Sequence, residues 1–182
     1  MARFNVSRCN RAATAAARHW HVVLQALIAI VTFALMCEEL VARSRAQLWQ
    51  AGGERGWNSD PSMRIYFYAN HEEPPAIPLI WSQRLTDSNL AVAGLSLALT
   101  LQRGVLAFLG FDWALFNIAS DIFLALFWSH SAAAQMSSDL TDLEHVSLRP
   151  WYLERGCSAV GPSERSPCVL GQACFVMAVV SL

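Results

Sequence analysis

Four polar side chains interrupt the apolar stretches of this sequence and could do chemistry inside them. Asn117, Ser120 and Asp121 lie within one apolar run, and Arg103 precedes it. On a period of 3.6 residues, Asn117 and Asp121 share one helix face with Ser120 alongside, which would form a polar stripe. An ionised carboxylate in such surroundings costs on the order of 3 kcal/mol, so it needs a partner or water. The stripe indicates a proton or ion relay or, as the favoured alternative, hydrogen bonding between helices or a protonated Asp121.

The cysteines define a second candidate feature. Cys157 and Cys168 flank a turn that contains Gly161 and Pro162. An oxidising compartment would let them form a disulfide that contributes on the order of 3 kcal/mol. The alternative is two unpaired thiols, with Cys168 inside a helix. No C-x-x-C pair occurs in the sequence, which argues against a zinc ribbon or a thioredoxin-type redox centre.

The histidines and the remaining motifs do not support a metal, cofactor or nucleotide site. His19 and His21 bracket Trp20, but the sequence contains no His-Glu-x-x-His, and His-x-His alone is a weak metal signal. Motifs of the G-x-S-x-G, P-loop and G-x-G-x-x-G types are also missing. We therefore predict no catalytic, metal-binding or cofactor-binding residue, and an enzyme is the less favoured class.

Composition indicates a membrane protein. Of the 182 residues, 54% are apolar and 15% are charged, against roughly 25% charged in an ordinary soluble domain. The formal net charge is −1, and no Lys- or Arg-rich stretch provides a footprint for nucleic acid. We expect the lipid bilayer to be the main partner, with lateral protein contacts or homo-oligomers as further partners.

The apolar runs predict an all-α fold of about four transmembrane helices in a bundle, within a single membrane domain over 1–182. The predicted helices cover about 20–41, 86–103, 105–130 and 167–182, and the long loops cover about 42–85 and 131–166. At about 1.5 Å per residue, the first run can cross the roughly 30 Å of hydrocarbon in a bilayer. A cleaved signal peptide is the rival interpretation of that run, but no small-x-small cleavage site follows it. The last run covers only about 22 Å, so either the fourth helix is short or the natural C-terminus lies further on.

The turn between the second and third helices decides which charges meet. We favour a turn at Gly104, because an arginine at a helix end can reach the membrane interface. The alternative is a turn at Gly110, with Asp112 as the N-cap of the next helix. A turn at Gly104 would separate Arg103 from Asp121 by about 25 Å in depth, whereas a turn at Gly110 would leave about 6 Å and allow an ion pair.

The long first loop is predicted to be irregular and to lie outside the membrane. Residues Met63 to Tyr68 have the composition of a short strand between turn signals. We interpret Trp49, Trp57 and Trp81 as anchors at the level of the lipid headgroups. A loop of about forty residues is too short for an independent core but can cover one face of a bundle, so we expect a partner surface here.

The distribution of charge and cysteine favours a cytoplasmic N-terminus. Four arginines precede the first helix and three follow it closely, so the positive-inside count is nearly balanced. A Cys157–Cys168 disulfide would place the third loop on the exoplasmic side, and three preceding helices then place the N-terminus in the cytoplasm. The Asn5-Val6-Ser7 sequon would stay unmodified. We expect a multi-pass protein of the plasma membrane or the endomembrane system.

Segments of the two loops resemble a known family. Ile77-Pro-Leu-Ile-Trp-Ser-Gln-Arg-Leu85, Gln135-x-Ser-Ser-Asp-Leu-Thr-Asp-Leu-Glu-His145, Arg149-Pro-Trp-Tyr-Leu153 and Cys157 are similar to small fungal four-span membrane proteins grouped with MARVEL-like proteins. The resemblance covers roughly residues 20 to 182 and is strongest in the third loop. It implies a four-helix membrane bundle with a cysteine-bearing exoplasmic loop, and it implies no known reaction.

Two functions are compatible with these features. The first is a non-enzymatic membrane-organising protein of MARVEL-like type, whose small-residue stretches at 91–98 and 131–134 would let helices approach closely. The alternative is a small integral-membrane enzyme or carrier for a hydrophobic substrate, with Arg103, Asn117 and Asp121 lining a cavity. A polar pocket between the helices would favour the alternative, and a dry, closely packed bundle would exclude it.

Overall fold

Four long helices account for most of the chain in the computed structural model, which describes residues 3–111 and 113–182, with side chains from Trp20 onward. The described residues contain no strand, and the all-α prediction is confirmed for them. The helices are α1 (Arg3–Ala42), α2 (Ser44–Gly53), α3 (Arg64–Ala69), α4 (Gln83–Phe108), α5 (Ala114–Gln135), α6 (Trp151–Glu154) and α7 (Pro162–Val180). Short 3-10 turns cover Pro61–Met63, Leu79–Trp81 and Cys157–Ala159.

The long helices α1, α4, α5 and α7 pack side by side. Helix α1 lies against α4 and α7, and α5 lies against the same two helices. Small side chains permit this close packing, because Ala93 and Ala178 are fully buried between the helices beside Met36 and Trp128. Two small residues of the 91–98 stretch, Ala93 and Ser96, are therefore buried in contacts within the chain.

The outward faces of the long helices are apolar. Two segments, Trp20–Ala42 and Gln83–Phe108, are long and apolar enough to cross a membrane, and only 17% of the residues in the most apolar window of each are buried within the chain. Helices α5 and α7 do not meet the same test of length and composition. The described residues therefore contain two candidate membrane spans.

The turn between α4 and α5 begins after Phe108, so the prediction of a turn at Gly104 is wrong. Helix α4 continues through Gly104, and Gly110 adopts a positive φ of 81°. The N–H of Phe111 bonds to the carbonyl of Leu106, and the N–H of Gly110 bonds to that of Ala107. These two bonds form a Schellman motif, which ends a helix where glycine can take the left-handed conformation. Asp112, the expected N-cap, lies outside the described residues.

The two long loops fold together into one layer, here called the cap, formed by residues 43–82 and 136–161. It covers the end of the long helices at which α1 and α5 finish and α4 and α7 begin. Its buried cluster combines Leu48, Trp49, Ile80 and Trp81 from the first loop with Trp151, Tyr152 and Cys157 from the second. Neither loop has a core of its own, but together they have one.

Two predictions for the first loop are wrong. Trp49 and Trp81 are 9% and 4% exposed, so they form the cap core and do not anchor the chain at lipid headgroups. The segment from Met63 to Tyr68 is helical, because Asp60 caps the 3-10 turn before it by accepting from the N–H of Ser62. Further along the loop, Ile80 and Trp81 pack into the cap core, and the described residues contain no strand with which the segment could pair.

Three helices also extend beyond their predicted bounds. Helix α1 begins at Arg3, α5 continues to Gln135, and α7 begins at Pro162 and not near residue 167. Proline suits the first helical position, and Glu164 accepts from the N–H of Gly161 at 3.2 Å. These start signals add about one turn to α7 before its apolar run begins.

Candidate functional site

Arg103 and Asp121 form an ion pair across the α4–α5 turn. Arg103 Nη1 lies 2.6 Å from Asp121 Oδ1, and Arg103 Nη2 donates to the main-chain carbonyl of Asn117 at 2.9 Å. The Schellman turn at Gly110 makes this possible, because it places both side chains a similar distance from the tip of the hairpin. The Arg103 side chain is 11% exposed, whereas that of Asp121 is 56% exposed. Asp121 therefore has the charged partner that the sequence analysis required for a carboxylate at this position.

The ion pair lines an open cavity of about 260 Å³, to which all four long helices contribute residues. This volume has room for several water molecules. Its polar lining comprises Gln25, Ser96, Thr100, Arg103, Asp121 and Ser181, and its apolar lining includes Ile28, Leu124 and Trp128.

The two α4 hydroxyls of the cavity are already engaged. Ser96 Oγ accepts from Trp128 Nε1 at 3.0 Å and donates to the carbonyl of Val92, and Thr100 Oγ1 donates to the carbonyl of Ser96. Arg103 Nε, in contrast, is buried and makes no hydrogen bond among the described residues. The guanidinium and the carboxylate are therefore the charged groups that a polar solute would meet.

The residues of the predicted polar stripe do not share one site, because Asp121 lines the cavity and Ser120 does not. Ser120 is buried, and its hydroxyl donates to the carbonyl of Phe116 in the same helix at 2.7 Å. Neither Ser120 nor Asn117 belongs to the cavity lining, although the main chain of Asn117 holds Arg103. Of the four candidate residues, the structure brings only Arg103 and Asp121 together in the cavity.

Glu39 and Arg45 form a second ion pair, at the junction between α1 and the cap. Arg45 Nε lies 2.9 Å from Glu39 Oε1, and Arg45 Nη1 donates to the carbonyl of Ile80 at 3.1 Å. Both side chains are buried, at 5% and 1% exposure. The left-handed backbone of Arg43, with φ of 50°, turns α2 so that Arg45 points back at α1. The sequence analysis missed this pair, although a glutamate closing an apolar run and an arginine soon after it were visible.

Tyr152 completes this junction from the second loop. Its ring packs edge-on against Trp81 and Trp151. Burial raises the pKa of Tyr152 to about 12, and the positive charge of Arg45 offsets only part of that effect. Tyr152 therefore stays neutral at physiological pH.

Asp139 is a fully buried carboxylate that joins the two loops of the cap. Its Oδ2 accepts from the N–H of Ser59 at 3.2 Å, from Ser59 Oγ at 2.6 Å and from Trp81 Nε1 at 2.9 Å. Its Oδ1 accepts from the N–H and the hydroxyl of Thr141 at 3.2 and 2.7 Å. Five donors offset the cost of burying the charge. The Asp-x-Thr spacing is typical of an Asx turn, so the sequence could have predicted the contacts between Asp139 and Thr141.

Cys157 and Cys168 form a disulfide between the cap and the first turns of α7. Their Cα atoms are 5.6 Å apart, and eleven positions separate them in the sequence. The alternative of two free thiols is not what the structure contains. Cys37 and Cys174 are free cysteines, and the side chain of Cys9 lies outside the described part.

Within the described part of the chain, no three His, Cys, Asp or Glu side chains come close enough to hold a metal ion. His145 pairs instead with Asp142 at 2.9 Å.

No protein-family model, curated protein or solved structure matches this chain. The features that indicate its function are its apolar surface, its cap and the Arg103–Asp121 cavity between the long helices. The cavity combines a cation, a carboxylate and apolar walls, so it can hold water or the polar end of an amphiphile. It has no nucleophile beside a base and therefore no arrangement typical of acyl transfer.

Proposed function

We propose that this protein is a multi-span integral membrane protein of MARVEL-like type, with all four long helices in the bilayer. It acts without catalysis, by lateral association with other membrane proteins or with copies of itself. Its cap lies on the exoplasmic side, and its N-terminus lies in the cytoplasm.

The exposed apolar surface of the long helices carries this proposal. Large side chains that face outward include Leu24, Leu27, Ile30 and Val31 on α1, Leu95, Leu101 and Val105 on α4, Leu115, Ile118, Ile122, Phe123 and Leu126 on α5, and Val169, Val176 and Val179 on α7. Monomeric soluble proteins rarely expose contiguous apolar patches larger than a few hundred Å². The belt continues around α5 and α7, which supports a membrane location for these helices as well.

The disulfide supports the orientation. Cysteine pairs persist in oxidising compartments and are rare where glutathione keeps thiols reduced. The Cys157–Cys168 bond lies where the cap meets the first turns of α7, and both long loops contribute to that cap. An exoplasmic cap at this end of the long helices requires a cytoplasmic N-terminus if α1, α4, α5 and α7 all span.

A labelling experiment tests this topology. In a background with Cys9, Cys37 and Cys174 replaced by serine, single cysteines are introduced at the exposed positions Ser62 in the cap and Leu109 in the α4–α5 turn. We expect a membrane-impermeant maleimide to label Ser62→Cys in intact cells and Leu109→Cys only after permeabilisation. Labelling of both positions from the same side would overturn the four-span arrangement.

A second test addresses lateral association. Purified protein is reconstituted with donor and acceptor fluorophores at Ser62→Cys, and energy transfer is measured as the lipid-to-protein ratio rises. We expect transfer that persists on dilution in lipid, and that is reduced when unlabelled protein competes. Transfer no greater than that of randomly distributed monomers would contradict self-association, and pull-down from detergent extracts would then have to identify a different membrane partner.

The cavity favours one second candidate, a carrier or enzyme for a hydrophobic substrate. Arg103 and Asp121 could hold the polar end of an amphiphile, while Ile28 and Leu124 contact its apolar part. The test is mass spectrometry of small molecules retained by the purified protein. Thr100→Leu fills the cavity, and Leu101→Ala on the outer face of α4 is the matched control. An amphiphile retained by the wild type and the control, and lost from Thr100→Leu, supports this candidate, whereas retention of none excludes it.

A further inference from the structure

The cap carries a groove that the membrane-spanning proposal does not use. It has a volume of about 560 Å³ and lies between the arm formed by residues 61–69, the segment 75–78 and the turn 141–145. Trp49, Met63 and Phe67 provide an apolar and aromatic lining. Asp60, Asp142 and Glu144 contribute three carboxylates to the same lining. The groove therefore combines aromatic surface with negative charge.

The charges of the groove are not balanced within the chain. Arg64 is its one arginine, and that guanidinium already donates to the carbonyl of Pro75. A hydrogen bond with His145 holds the pKa of Asp142 below its usual value, and the N–H of Glu144 adds to the effect. The Glu144 side chain is exposed and makes no hydrogen bond or ion pair with any residue that the structure describes.

The negative charge continues beyond the groove. Glu72 and Glu73 line an adjoining depression that shares Arg64 and Ala76 with it. Five carboxylates thus surround the α3 arm against one arginine. Such a surface attracts cationic groups and repels the anionic headgroups of a lipid surface.

Exposed apolar side chains flank the groove. Leu143, in its lining, is 88% exposed, and Ile65 and Tyr66 on the α3 arm are 68% and 64% exposed. Large apolar side chains exposed to water are unfavourably hydrated, and a partner that covers them removes this cost. Together with the carboxylates, they describe a partner with cationic and apolar side chains in close alternation.

We propose that this groove docks a segment of a partner protein in which arginine or lysine alternates with apolar residues. A cationic side chain enters beside Asp142 and Glu144, next to the ring of Phe67, where carboxylates and a ring face both attract a cation. The neighbouring apolar side chains cover Leu143 and Ile65. The exoplasmic location of the partner segment rests on the proposed topology. The chemistry of docking is independent of that topology.

Peptide binding to the full chain in nanodiscs of neutral lipid tests this proposal. The probe is a fluorescent eight-residue peptide of alternating Arg and Leu, compared with a Glu and Leu peptide of the same pattern and an Arg and Ser peptide. We expect the Arg and Leu peptide to bind about tenfold or more tightly than either counterpart. Anisotropy measured at increasing salt should show weaker binding, because exposed charges are screened.

Variants locate the binding site. Glu144→Gln removes a carboxylate that supports no other contact, and it should weaken binding about threefold to fivefold, as expected for one exposed charge. Leu143→Ser should weaken it similarly. Glu154→Gln alters an exposed cap carboxylate outside the groove and should leave affinity unchanged.

Each other outcome contradicts the proposal. Equal binding of the acidic peptide, or unchanged affinity in Glu144→Gln and Leu143→Ser, would overturn it. Self-association that Glu144→Gln abolishes would assign the groove to a second copy of this chain instead, and binding to phosphatidylserine vesicles but not to the peptide would assign it to a lipid surface. If the peptide binds as expected while maleimide labelling places the cap in the cytoplasm, the docking proposal is retained and the proposed topology is wrong.

Discussion

The indole N–H of Trp81 donates a 2.9 Å hydrogen bond to Oδ2 of Asp139, which joins two loops across 58 positions of sequence. Trp81 is 4% exposed and Asp139 is 1% exposed, so this contact lies inside the cap. The carboxylate also binds Ser59 and Thr141. This buried charge and its donors therefore link the two long loops, in addition to the apolar core that both loops share.

Replacing Asp139 by Asn should destabilise the cap. An amide places N–H groups where one of the two carboxylate oxygens accepts, so at least one of the donors from Ser59, Trp81 and Thr141 loses its partner. We expect a loss of about 2–3 kcal/mol, the cost of disrupting hydrogen bonds to a buried charged group. Thermal unfolding followed by tryptophan fluorescence measures it. Asp87→Asn, at an exposed position on α4, is the control and should leave the midpoint unchanged.

Removing the Cys157–Cys168 disulfide should lower the free energy of unfolding by about 3 kcal/mol on the chain-entropy estimate for a loop of this length. The double replacement by serine and the reduced wild type should behave alike, in chemical unfolding monitored with and without reductant. Cys37→Ser changes a free cysteine and is the matched control. A wild-type protein that is insensitive to reductant would show that the bond does not stabilise the cap.

Two glycines should respond to alanine in opposite ways. A Cβ on Gly52 would lie 2.6 Å from the Trp151 ring and would also overlap Asn58, so Gly52→Ala should cost about 1–3 kcal/mol. A Cβ on Gly104 meets nothing within 4 Å, and this residue lies inside α4, so Gly104→Ala should stabilise by up to about 1 kcal/mol. Thermal unfolding of both variants decides the matter. Destabilisation by Gly104→Ala would indicate a turn at that residue.

Exchanging the charges of Arg103 and Asp121 in a double variant should restore the stability that each single charge reversal removes. Arg103→Asp places two carboxylates together, and Asp121→Arg places two guanidinium groups together, so each should lower stability by about 2 kcal/mol or more. The double variant recovers an attractive pair. Protein level in membranes and thermal unfolding in detergent both report the effect. A double variant no better than the worse single variant would count against the pair.

Stability should decline in strongly alkaline solution because of Tyr152. The pKa of this residue is about 12 in the folded chain and near 10 when unfolded, so the folded state keeps the proton longer. The contribution of Tyr152 is fully present below about pH 10 and is lost as the pH rises toward 12. Urea unfolding between pH 8 and 12 measures this decline, and the sequence contains no lysine to titrate in the same range. Tyr152→Phe should show a smaller decline, and an identical pH profile would contradict the assignment.

The apolar runs by themselves determined the all-α class and the approximate positions of the long helices. Helix formation follows local periodicity and local start and stop residues, which are visible in one sequence. The Cys157–Cys168 bond was accessible for the same reason, because only eleven positions separate the two cysteines. The sequence did not decide whether the turn lies at Gly104 or at Gly110, since either glycine can end a helix.

Tertiary structure alone decided the roles of the polar and aromatic side chains. Asp139 is buried because donors from the distant residues Ser59 and Trp81 meet it, whereas Asp121 is half exposed although its sequence neighbours are apolar. Trp49 and Trp81 form a core only because the second loop supplies Trp151 and Tyr152. Burial depends on which segments pack together, and contacts that span 58 or more positions leave no period or spacing in the sequence. The four-span arrangement and the basic partner of the cap groove are the proposals that the described experiments test.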